Sequence, residues 1–462
     1  MRWENFRSFA DTGWVEVKPI TVVIGSNNSG KTSLHAPLLL MKQTVESADP
    51  STALVTAGEL VDVGSFEDAV HCHRKEQAIG LSVQWDHALD PDRKQGALGA
   101  DRPGSVHWKF IGSDGPSTVV LGETTIGDIF GRPLLTRRRM KSGNYSIAKF
   151  PEKLSTAKKS PVERAMVQRI RDAQPDGFLF SEDEIEQAGL LARARAQIAG
   201  SSGDNSEFYK LPASAALSMY RATVGYTRSA FEAFLNEIYY VGPIRERLRR
   251  FYEVSSARPQ SVGTRGEDAP QLIYRWRHDL VRMDELDRWL SRFGFNQDLK
   301  IVEHGDYAFS LLLKGAKSTP SMGFVDLGFG LSQILPLIVQ GLNASAGDMV
   351  VAEQPEIHLN PALQATLADL FVQFANDGLW SYIETHSEHL LLRLRRLVAE
   401  GVISSDMIAL YYVERVGQKS HVRQIPMYSD GSIAPDTWPK EFFGESLRDA
   451  VGLAEAQMRL DH

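Results

Sequence analysis

The sequence predicts an α/β fold with a mostly parallel sheet and a largely helical insertion. Three apolar runs of strand length, at residues 20–24, 349–352 and 380–383, are each followed by a segment with helical periodicity. Alternation of strands and helices is typical of parallel sheets, because a crossover must return the chain to the same edge. The long polar stretch at residues 84–235 interrupts this alternation, and we interpret it as the insertion.

The chain therefore divides into three predicted parts. Residues 1–83 form the N-terminal part of the core, and residues 84–235 form an inserted arm or lid. Residues 236–462 complete the core. Residues 14–17 alternate between polar and apolar side chains, which predicts an additional edge strand. Helices are predicted at residues 32–43, 161–173, 182–198, 216–240, 361–374 and 387–400, and the helix at 216–240 ends in a strand-like segment at residues 238–241.

Composition excludes several classes of protein. The net charge of -7 and a charged fraction of 24% argue against a polyelectrolyte tail protein. One cysteine, Cys72, cannot form an intramolecular disulfide, which fits a reducing cytosol. The longest apolar stretches are too short to cross a bilayer. We expect a cytoplasmic protein without membrane segments.

The segment at residues 25–32 has the P-loop pattern Gly-x-x-x-x-Gly-Lys-Thr. Its glycines allow backbone N–H groups to turn inward around phosphates, while Lys31 reaches the β and γ phosphates and Thr32 offers a hydroxyl to Mg²⁺. A chance match is disfavoured because a buried strand precedes the loop and a helix follows it. We therefore expect ATP and Mg²⁺ as cofactors. The expected nucleotide contacts are Gly25, Asn27, Asn28, Ser29, Gly30, Lys31, Thr32 and Ser33.

The second apolar run ends in the acidic segment that a P-loop ATPase requires for Mg²⁺. Glu353 is expected to reach the ion through water. Gln354 follows it and cannot accept a proton, although its amide can orient a water. Glu356 is the nearest remaining carboxylate. A catalytic role and a structural role for Glu356 are equally compatible with the sequence.

Two further segments fit a phosphate site. His386 follows the third apolar run at the edge where α/β sheets gather functional groups, so we expect it to contact the γ-phosphate, with a structural role as the alternative. Residues 326–333 form a Gly-rich turn before a helix predicted from residue 334, with Gly330 and Ser332 as a second phosphate cradle. By contrast, His71 and His73 flank Cys72 too closely for one tetrahedral metal site.

In order along the chain, these motifs resemble the RecF/SMC-like ABC ATPases. The similar segments are residues 5–9, 25–32, 328–333, 353–361 and 384–387. Within that family the chain resembles the OLD-like group, which includes ATPase subunits of anti-phage defence systems such as PtuA of Septu. Residues 242–245 and 438–443 also resemble a branch of this group. The resemblance covers both ends of the chain and leaves out the insertion.

The resemblance implies an ABC-type ATPase core and a role for each motif. Glu353 is the implied metal-side acid, and His386 is the implied switch residue. Gly330 and Ser332 are expected to act across a homodimer or a higher even oligomer. Relatives carry a catalytic glutamate where this chain has Gln354. The resemblance therefore implies a slow, switch-like ATPase.

OLD proteins also carry a nuclease domain that needs a Glu and an Asp-x-Asp pair to hold two metals. After His386 the candidate acids Glu414, Asp430 and Asp436 are scattered, without an Asp-x-Asp pair. We therefore expect no nuclease in this chain. The effector is expected to be a separate protein, a nuclease or a toxin.

Three basic clusters are candidates for contact with nucleic-acid phosphates. Pairing with neighbouring acids is the alternative for each cluster, and few aromatic residues are interleaved for base stacking. Arg245 has a further alternative from the resemblance, which is to line the nucleotide site. The clusters are residues 137–141, then Arg245, Arg247, Arg249 and Arg250, and finally Arg393, Arg395 and Arg396.

Three functions remain open from the sequence. The first is a dimeric ATP-driven switch that senses or clamps nucleic acid and controls an effector in anti-phage defence. The second is a DNA-repair ATPase of RecF type. The third is an assembly scaffold that ATP stabilises without turnover. An ABC transporter subunit is disfavoured because the insertion is too polar to couple to a membrane domain.

Overall fold

The computed structural model describes most of the two ends of the chain and part of the segment between them. The described residues are 1–47, 49, 52–85, 103–113, 119–141, 145–149, 212–295, 298–314, 322–326, 329–434 and 437–438. The helices predicted at 161–173 and 182–198 lie outside these residues. Within this part of the chain, no helix combines the length and the apolar character needed to cross a bilayer.

The chain forms two compact units. The first consists of Met1–Val15 and Ser33–Asn236, and the second consists of Glu16–Thr32 and Glu237–His462. The first unit thus contains described residues from both sides of the predicted division at residue 84, which itself stays a prediction.

The first unit is built on a seven-stranded sheet in which all neighbouring strands are antiparallel. Its spatial order is β2-β1-β4-β5-β6-β7-β8. The strands are β1 (Arg2–Phe6), β2 (Phe9–Asp11), β4 (Ile79–Gln84), β5 (Pro103–Gly112), β6 (Val119–Asp128), β7 (Pro133–Arg139) and β8 (Tyr145–Lys149). Its helices are α1 (Lys31–Val45, whose first two residues belong to the second unit), α2 (Phe66–Ala69) and α3 (Pro212–Asn236).

The prediction of a largely helical insertion is wrong for residues 103–149, which contain strands β5 to β8. The apolar side chains of β5 alternate and are buried, as with Trp108 and Phe110. The charged residues that make this stretch look polar form cross-strand pairs, such as Lys109 with Glu123 at 2.9 Å. On one side β5 pairs with β4, and Ile79 lies opposite Phe110. Because these partners are distant in the sequence, local periodicity does not reveal that β5 is a strand.

Other local predictions for this unit have mixed outcomes. Residues 14–17 are not in a strand, and the N–H of Val15 donates to the carbonyl oxygen of Met1 instead. The helix predicted at 216–240 is confirmed with earlier bounds, as α3, and its predicted strand-like end is confirmed as the strand Ile238–Val241. Phe231 of α3 packs edge-to-face on Trp108, with ring centroids 4.8 Å apart, and this contact anchors the helix on the sheet.

The second unit is built on a six-stranded sheet in the order β17-β16-β3-β15-β14-β9. Its strands are β3 (Ile20–Gly25), β9 (Ile238–Val241), β14 (Met349–Glu353), β15 (Trp380–Glu384), β16 (Ile408–Val416) and β17 (Lys419–Gln424). Five strands are parallel, and β17 joins them as an antiparallel edge hairpin with β16. The mostly parallel arrangement is confirmed in part, because β1, β2 and β4 of the predicted core at residues 1–83 belong to the antiparallel sheet of the first unit. Every residue of β3 and β14 is buried, as expected for a sheet covered on both faces.

In its described residues, this unit also contains a second, smaller sheet and five α-helices. The small sheet contains β10 (Tyr252–Glu253), β11 (Asp298–His304), β12 (Ala308–Lys314) and β13 (Met322–Gly323). The helices are α4 (Ala269–Arg275), α5 (Leu280–Arg292), α6 (Phe329–Asn343), α7 (Pro361–Asn376) and α8 (Glu388–Ala399). Asn360 caps α7 and Ser387 caps α8 through their side chains. Helix α6 begins at Phe329, one turn before the predicted start.

Candidate functional site

The carboxyl ends of three neighbouring parallel strands meet at one edge of the six-stranded sheet. Strand β15 lies between β3, which precedes the P-loop, and β14. In this register Glu384 lies opposite Val23 of β3 on one side and opposite Glu353 of β14 on the other. The fold therefore brings two carboxylates, one from each strand end, next to the P-loop.

The P-loop connects β3 to α1 in a tight backbone path. Gly30 has φ +102° and Asn28 has φ +59°, so the loop reverses direction through left-handed conformations. The ammonium group of Lys31 donates to the carbonyl oxygens of Ser26, at 2.7 Å, and Gly25, at 3.1 Å. Asn27 is exposed and Ser33 is buried on the first turn of α1. The expected phosphate-binding residues are thus contiguous around one loop.

Lys31 is buried beside carboxylates, and both its burial and these charges affect its pKa. Burial is the largest influence and lowers its pKa, and the carboxylates of Glu384 and Glu356 oppose that shift. A buried ammonium whose present partners are loop carbonyls is well placed to gain from a phosphate anion.

The β16–β17 hairpin braces the P-loop from the opposite side. The hydroxyl of Ser420 donates to the carbonyl oxygen of Ser29 at 2.6 Å. A Cβ atom on Gly25 would lie 2.2 Å from the carbonyl oxygen of Val413, which is its partner in β16. The sequence gives no local signal for this contact, because nearly four hundred residues separate Ser420 from Ser29.

Glu384 is a residue of this candidate site that the sequence did not single out. The hydroxyl of Thr32 donates to its carboxylate, 3.1 Å from one oxygen and 3.3 Å from the other. Glu384 and Glu353 are both buried, and a carboxylate oxygen of each lies within 4.8 Å of the other. Tyr240 of β9 also hydrogen-bonds to Glu353 through its side chain. The available signal was the acid at the end of the third apolar run, directly before Thr385 and His386.

Glu356 and His386 form a second polar group at the same edge. One carboxylate oxygen of Glu356 accepts a hydrogen bond from the backbone N–H of His386 at 2.6 Å. The Glu356 carboxylate also hydrogen-bonds to the side chain of Thr385. Among the residues that the structure describes, the Nε2 atom of His386 is buried without a hydrogen-bond partner. Burial raises the pKa of Glu356, and burial together with the charge of Lys31 lowers the pKa of His386 to about 4. An unpaired buried polar atom beside Lys31 indicates room for a polar ligand.

Arg245, which follows β9, belongs to this group and not to a surface patch. It is buried, and its guanidinium donates to the carbonyl oxygen of Glu353 at 3.3 Å. Burial lowers its pKa to about 10, against the opposing charge of Glu356. Within the described part of the chain, two of its nitrogen atoms, Nε and Nη2, are buried without a hydrogen-bond partner. The structure thus brings Arg245 to the predicted site.

Gln354 holds a strained backbone conformation at this edge. Its φ is +44°, which costs a non-glycine residue about 1 kcal/mol. Its N–H donates to the carbonyl oxygen of Glu384 at 2.7 Å, extending the β14–β15 pairing by one residue. The backbone of Gln354 is thus fixed beside Glu384 at this edge, and its role as an amide in place of a base stays a prediction.

Gly330 and Ser332 lie in the first turn of α6. Ser332 is buried, and a Cβ atom on Gly330 would have its nearest neighbour at 3.9 Å, in Leu359. The preceding residues 327–328 lie outside the described part of the chain. The role of Gly330 and Ser332 across a dimer stays a prediction.

Comparison with known proteins gives a distant structural likeness. The chain is similar to SMC head ATPase domains. One is the Smc head domain with an extended coiled coil bound to the C-terminal domain of ScpA from Pyrococcus furiosus, with 11% identity and a TM-score of 0.39 over 92% of this chain and 95% of that chain. Another is the SMC head domain from Thermotoga maritima, with 10% identity and a TM-score of 0.34 over 92% and 97%.

Sequence comparison adds one short match. A family model described as a protein of unknown function, DUF3696, matches residues 403–453. That segment includes the β16–β17 hairpin that braces the P-loop. No curated protein matches this chain.

The arginine clusters are largely occupied by ion pairs and backbone contacts. In the second unit, Arg393 pairs with Asp369 at 2.9 Å and Arg250 with Asp326 at 2.8 Å. Similar contacts join Arg138 to Glu123, Arg249 to Glu246, Arg396 to Glu400 and Arg395 to the carbonyl oxygen of Gly431. These contacts correspond to the alternative of solvated, acid-paired arginines.

The histidines excluded as a metal site, and one acid considered for a nuclease, lie away from this edge of the sheet. His71 and His73 contact the backbone carbonyl oxygens of Arg7 and Glu67, at 2.7 and 3.0 Å. Asp436, one of the acids weighed for a nuclease, lies outside the described residues, as do residues 439–443 of the tail.

We expect the stability of the protein to depend on pH through His386. Its pKa is about 4 in the folded chain against an ordinary 6.5, so the unfolded chain binds the proton more readily between these values. Stability is therefore lost as pH falls from 6.5 towards 4. His386→Gln should lose less melting temperature over this range than the wild type, in scans run with EDTA. His389→Gln, at an exposed position on α8, is the matched control, and parallel curves for wild type and His386→Gln contradict the assignment.

Proposed function

We propose that this chain binds ATP with Mg²⁺ at the P-loop of the second unit and hydrolyses it slowly. The observation that carries the proposal is the meeting of Lys31 and Thr32 with the buried carboxylates of Glu353 and Glu384 at the strand ends. Lys31 would exchange its two carbonyl partners for the β and γ phosphates. The first turn of α1 would add its positive dipole end to the same anion.

The donor set fits magnesium. Mg²⁺ prefers oxygen ligands and keeps several of its waters, so one hydroxyl and nearby carboxylates suffice to hold it beside phosphates. Thr32 and Glu353 would hold the ion, which neutralises developing phosphate charge when bound. His386 and Arg245 would then face the γ-phosphate side with polar atoms that lack a protein partner.

Slow turnover follows from the residues near the expected attacking water. Gln354 can orient a water but cannot take its proton. Glu356 is a carboxylate whose pKa is raised, which suits a general base, but one of its oxygens is committed to the N–H of His386. A long-lived ATP state is the consequence, and it suits a switch better than a motor.

The wider proposal is that the ATP state closes two copies of the chain. Gly330 and Ser332 of one copy would meet the γ-phosphate held by the other, as the resemblance to RecF/SMC-like ATPases implies. The closed dimer would sense or clamp nucleic acid and control a separate nuclease or toxin, in the manner of anti-phage defence ATPases of the OLD-like group.

One specific observation favours a second candidate, a scaffold that ATP stabilises without turnover. Gln354 occupies the position of the expected base, so binding and hydrolysis are separable in this chain. A measurable turnover that depends on Lys31 would exclude the scaffold.

Lys31→Ala should weaken ATP binding by about 10- to 100-fold, because a hydrogen-bonded charge opposite phosphate is removed. Titration of ATP into the full-length protein by calorimetry, with Mg²⁺ present, measures this change. Lys18→Ala, at a lysine outside the loop, is the matched control. Equal ATP affinity of wild type and Lys31→Ala, or no ATP binding by either, would contradict the proposed function.

A further inference from the structure

We propose that Glu384 is a second carboxylate of the magnesium site, where it holds the Thr32 hydroxyl and hydrogen-bonds to waters of the ion beside Glu353. The inference rests on the proposed binding of ATP with Mg²⁺ and deepens it. It concerns a residue that the P-loop pattern and the acidic segment after β14 do not include.

The position of Glu384 is fixed by the sheet and not by a mobile loop. It is the last residue of β15, which lies between the P-loop strand β3 and β14. The backbone on its C-terminal side continues this pairing, since the N–H of Thr385 donates to the carbonyl oxygen of Val23 at 3.1 Å. A side chain anchored in this way on two neighbouring strands is pre-organised for a ligand at the strand ends.

The direction of the hydrogen bond from Thr32 to Glu384 leaves the Thr32 oxygen able to bind a metal. A hydroxyl has one proton and two lone pairs, and a metal requires one of the lone pairs. Because the proton is donated to Glu384, the lone pairs of the Thr32 oxygen stay available on its other side. Glu384 thus orients the hydroxyl for a cation, as outer-shell carboxylates do for metal-ligating side chains.

The local charge also calls for a divalent cation. Glu384 and Glu353 are 4% and 8% exposed, and oxygens of the two carboxylates lie within 4.8 Å. Two buried negative charges at that separation repel each other, and neither is well hydrated. Lys31 interacts with Glu384 and Glu356, and Arg245 interacts with Glu356 and Glu353, so two cations face three buried carboxylates. A divalent ion with its waters satisfies both carboxylates at once.

The remaining acid at this edge contacts a different partner. Glu356 contacts the backbone of His386, whereas Glu384 contacts Thr32. The contacts therefore divide the carboxylates into a metal pair, Glu353 with Glu384, and a separate group, Glu356 with His386. This division assigns Glu384 to positioning the metal and not to proton transfer.

Glu384→Gln in the full-length protein tests the assignment, because the amide keeps an oxygen for the Thr32 hydroxyl and removes the charge. ATP affinity is measured by calorimetry in EDTA and again in Mg²⁺, and Mn²⁺ binding to the ATP complex is measured by electron paramagnetic resonance. We expect Mn²⁺ affinity to fall by about 10- to 100-fold, with ATP affinity in EDTA unchanged or improved. Glu400→Gln, which removes an exposed carboxylate at the end of α8, is the matched control.

The outcomes separate this inference from the proposed function. If wild type binds ATP no better with Mg²⁺ than with EDTA, the proposed function fails. If wild type gains from Mg²⁺ and Glu384→Gln gains equally, the function stands and the role of Glu384 is wrong. Glu384→Asp, which keeps the charge on a shorter side chain, should recover part of the Mn²⁺ affinity. Failure of the aspartate to bind Mn²⁺ better than the glutamine also overturns the assignment.

Discussion

Gln354→Glu is expected to raise the rate of ATP hydrolysis by about 100-fold or more, because it restores a general base next to the proposed attacking water. The proposed site already has Lys31 for phosphate and Glu353 for the metal. The substitution changes the amide into a carboxylate of the same shape, so the strained backbone at φ +44° has no new steric demand to meet. Turnover under saturating ATP and Mg²⁺ measures the effect.

The surroundings favour the introduced carboxylate as a base. Glu353 and Glu384 are buried nearby, and like charges raise the pKa of a neighbouring carboxyl. A base works best when its pKa approaches the working pH. The same repulsion would weaken the closed state, so ATP-dependent association should become shorter-lived in Gln354→Glu.

Two controls make this result interpretable. Gln260→Glu adds the same charge at an exposed loop position and should leave turnover unchanged. Lys31→Ala in the Gln354→Glu background should remove the gained activity, which assigns it to the P-loop. Unchanged turnover in Gln354→Glu would show that lack of a base at this position does not limit hydrolysis, and Glu356 would become the leading base.

The parts of the site that the sequence predicts are local. The P-loop is eight consecutive residues, and Glu353, Gln354 and Glu356 follow a single apolar strand. Each such pattern consists of one strand and the turn after it. The strand can be recognised in the sequence as a continuous apolar run, because both of its faces are buried. The apolar runs predicted β3, β14 and β15 for the same reason, whereas β16 and β17 of the same sheet were not predicted.

The missed features all depend on which strands become neighbours. Glu384 matters because β15 lies beside β3, which places it against Thr32 from 352 positions away. The strands at residues 103–149 form because β5 pairs with β4 and buries one face, while charged side chains pair on the other. Ser420 meets the P-loop through the register of β16 with β3. Sequence periodicity shows that a strand exists but does not state its partner.

Gly25→Ala is expected to remove ATP binding and to destabilise the protein by about 3 kcal/mol, because the site has no room for a methyl group. The added Cβ would lie 2.2 Å from the carbonyl oxygen of Val413 and 2.9 Å from the hydroxyl oxygen of Ser29. Val413 and Gly25 are paired residues of neighbouring parallel strands. Relief therefore requires the strands to separate or the P-loop to change its path.

Both routes of relief reach the nucleotide site. Separation of β16 from β3 would also withdraw Ser420 from the carbonyl oxygen of Ser29, and a changed path would move the carbonyls that now hold Lys31. Chemical denaturation and ATP calorimetry measure the two effects on the same sample. Gly347→Ala is the matched control, since its φ of +103° carries backbone strain but its Cβ would meet nothing within 4 Å. If Gly25→Ala were no more destabilised than Gly347→Ala and still bound ATP, the hairpin would not constrain the loop, and the P-loop would owe its shape to its own sequence alone.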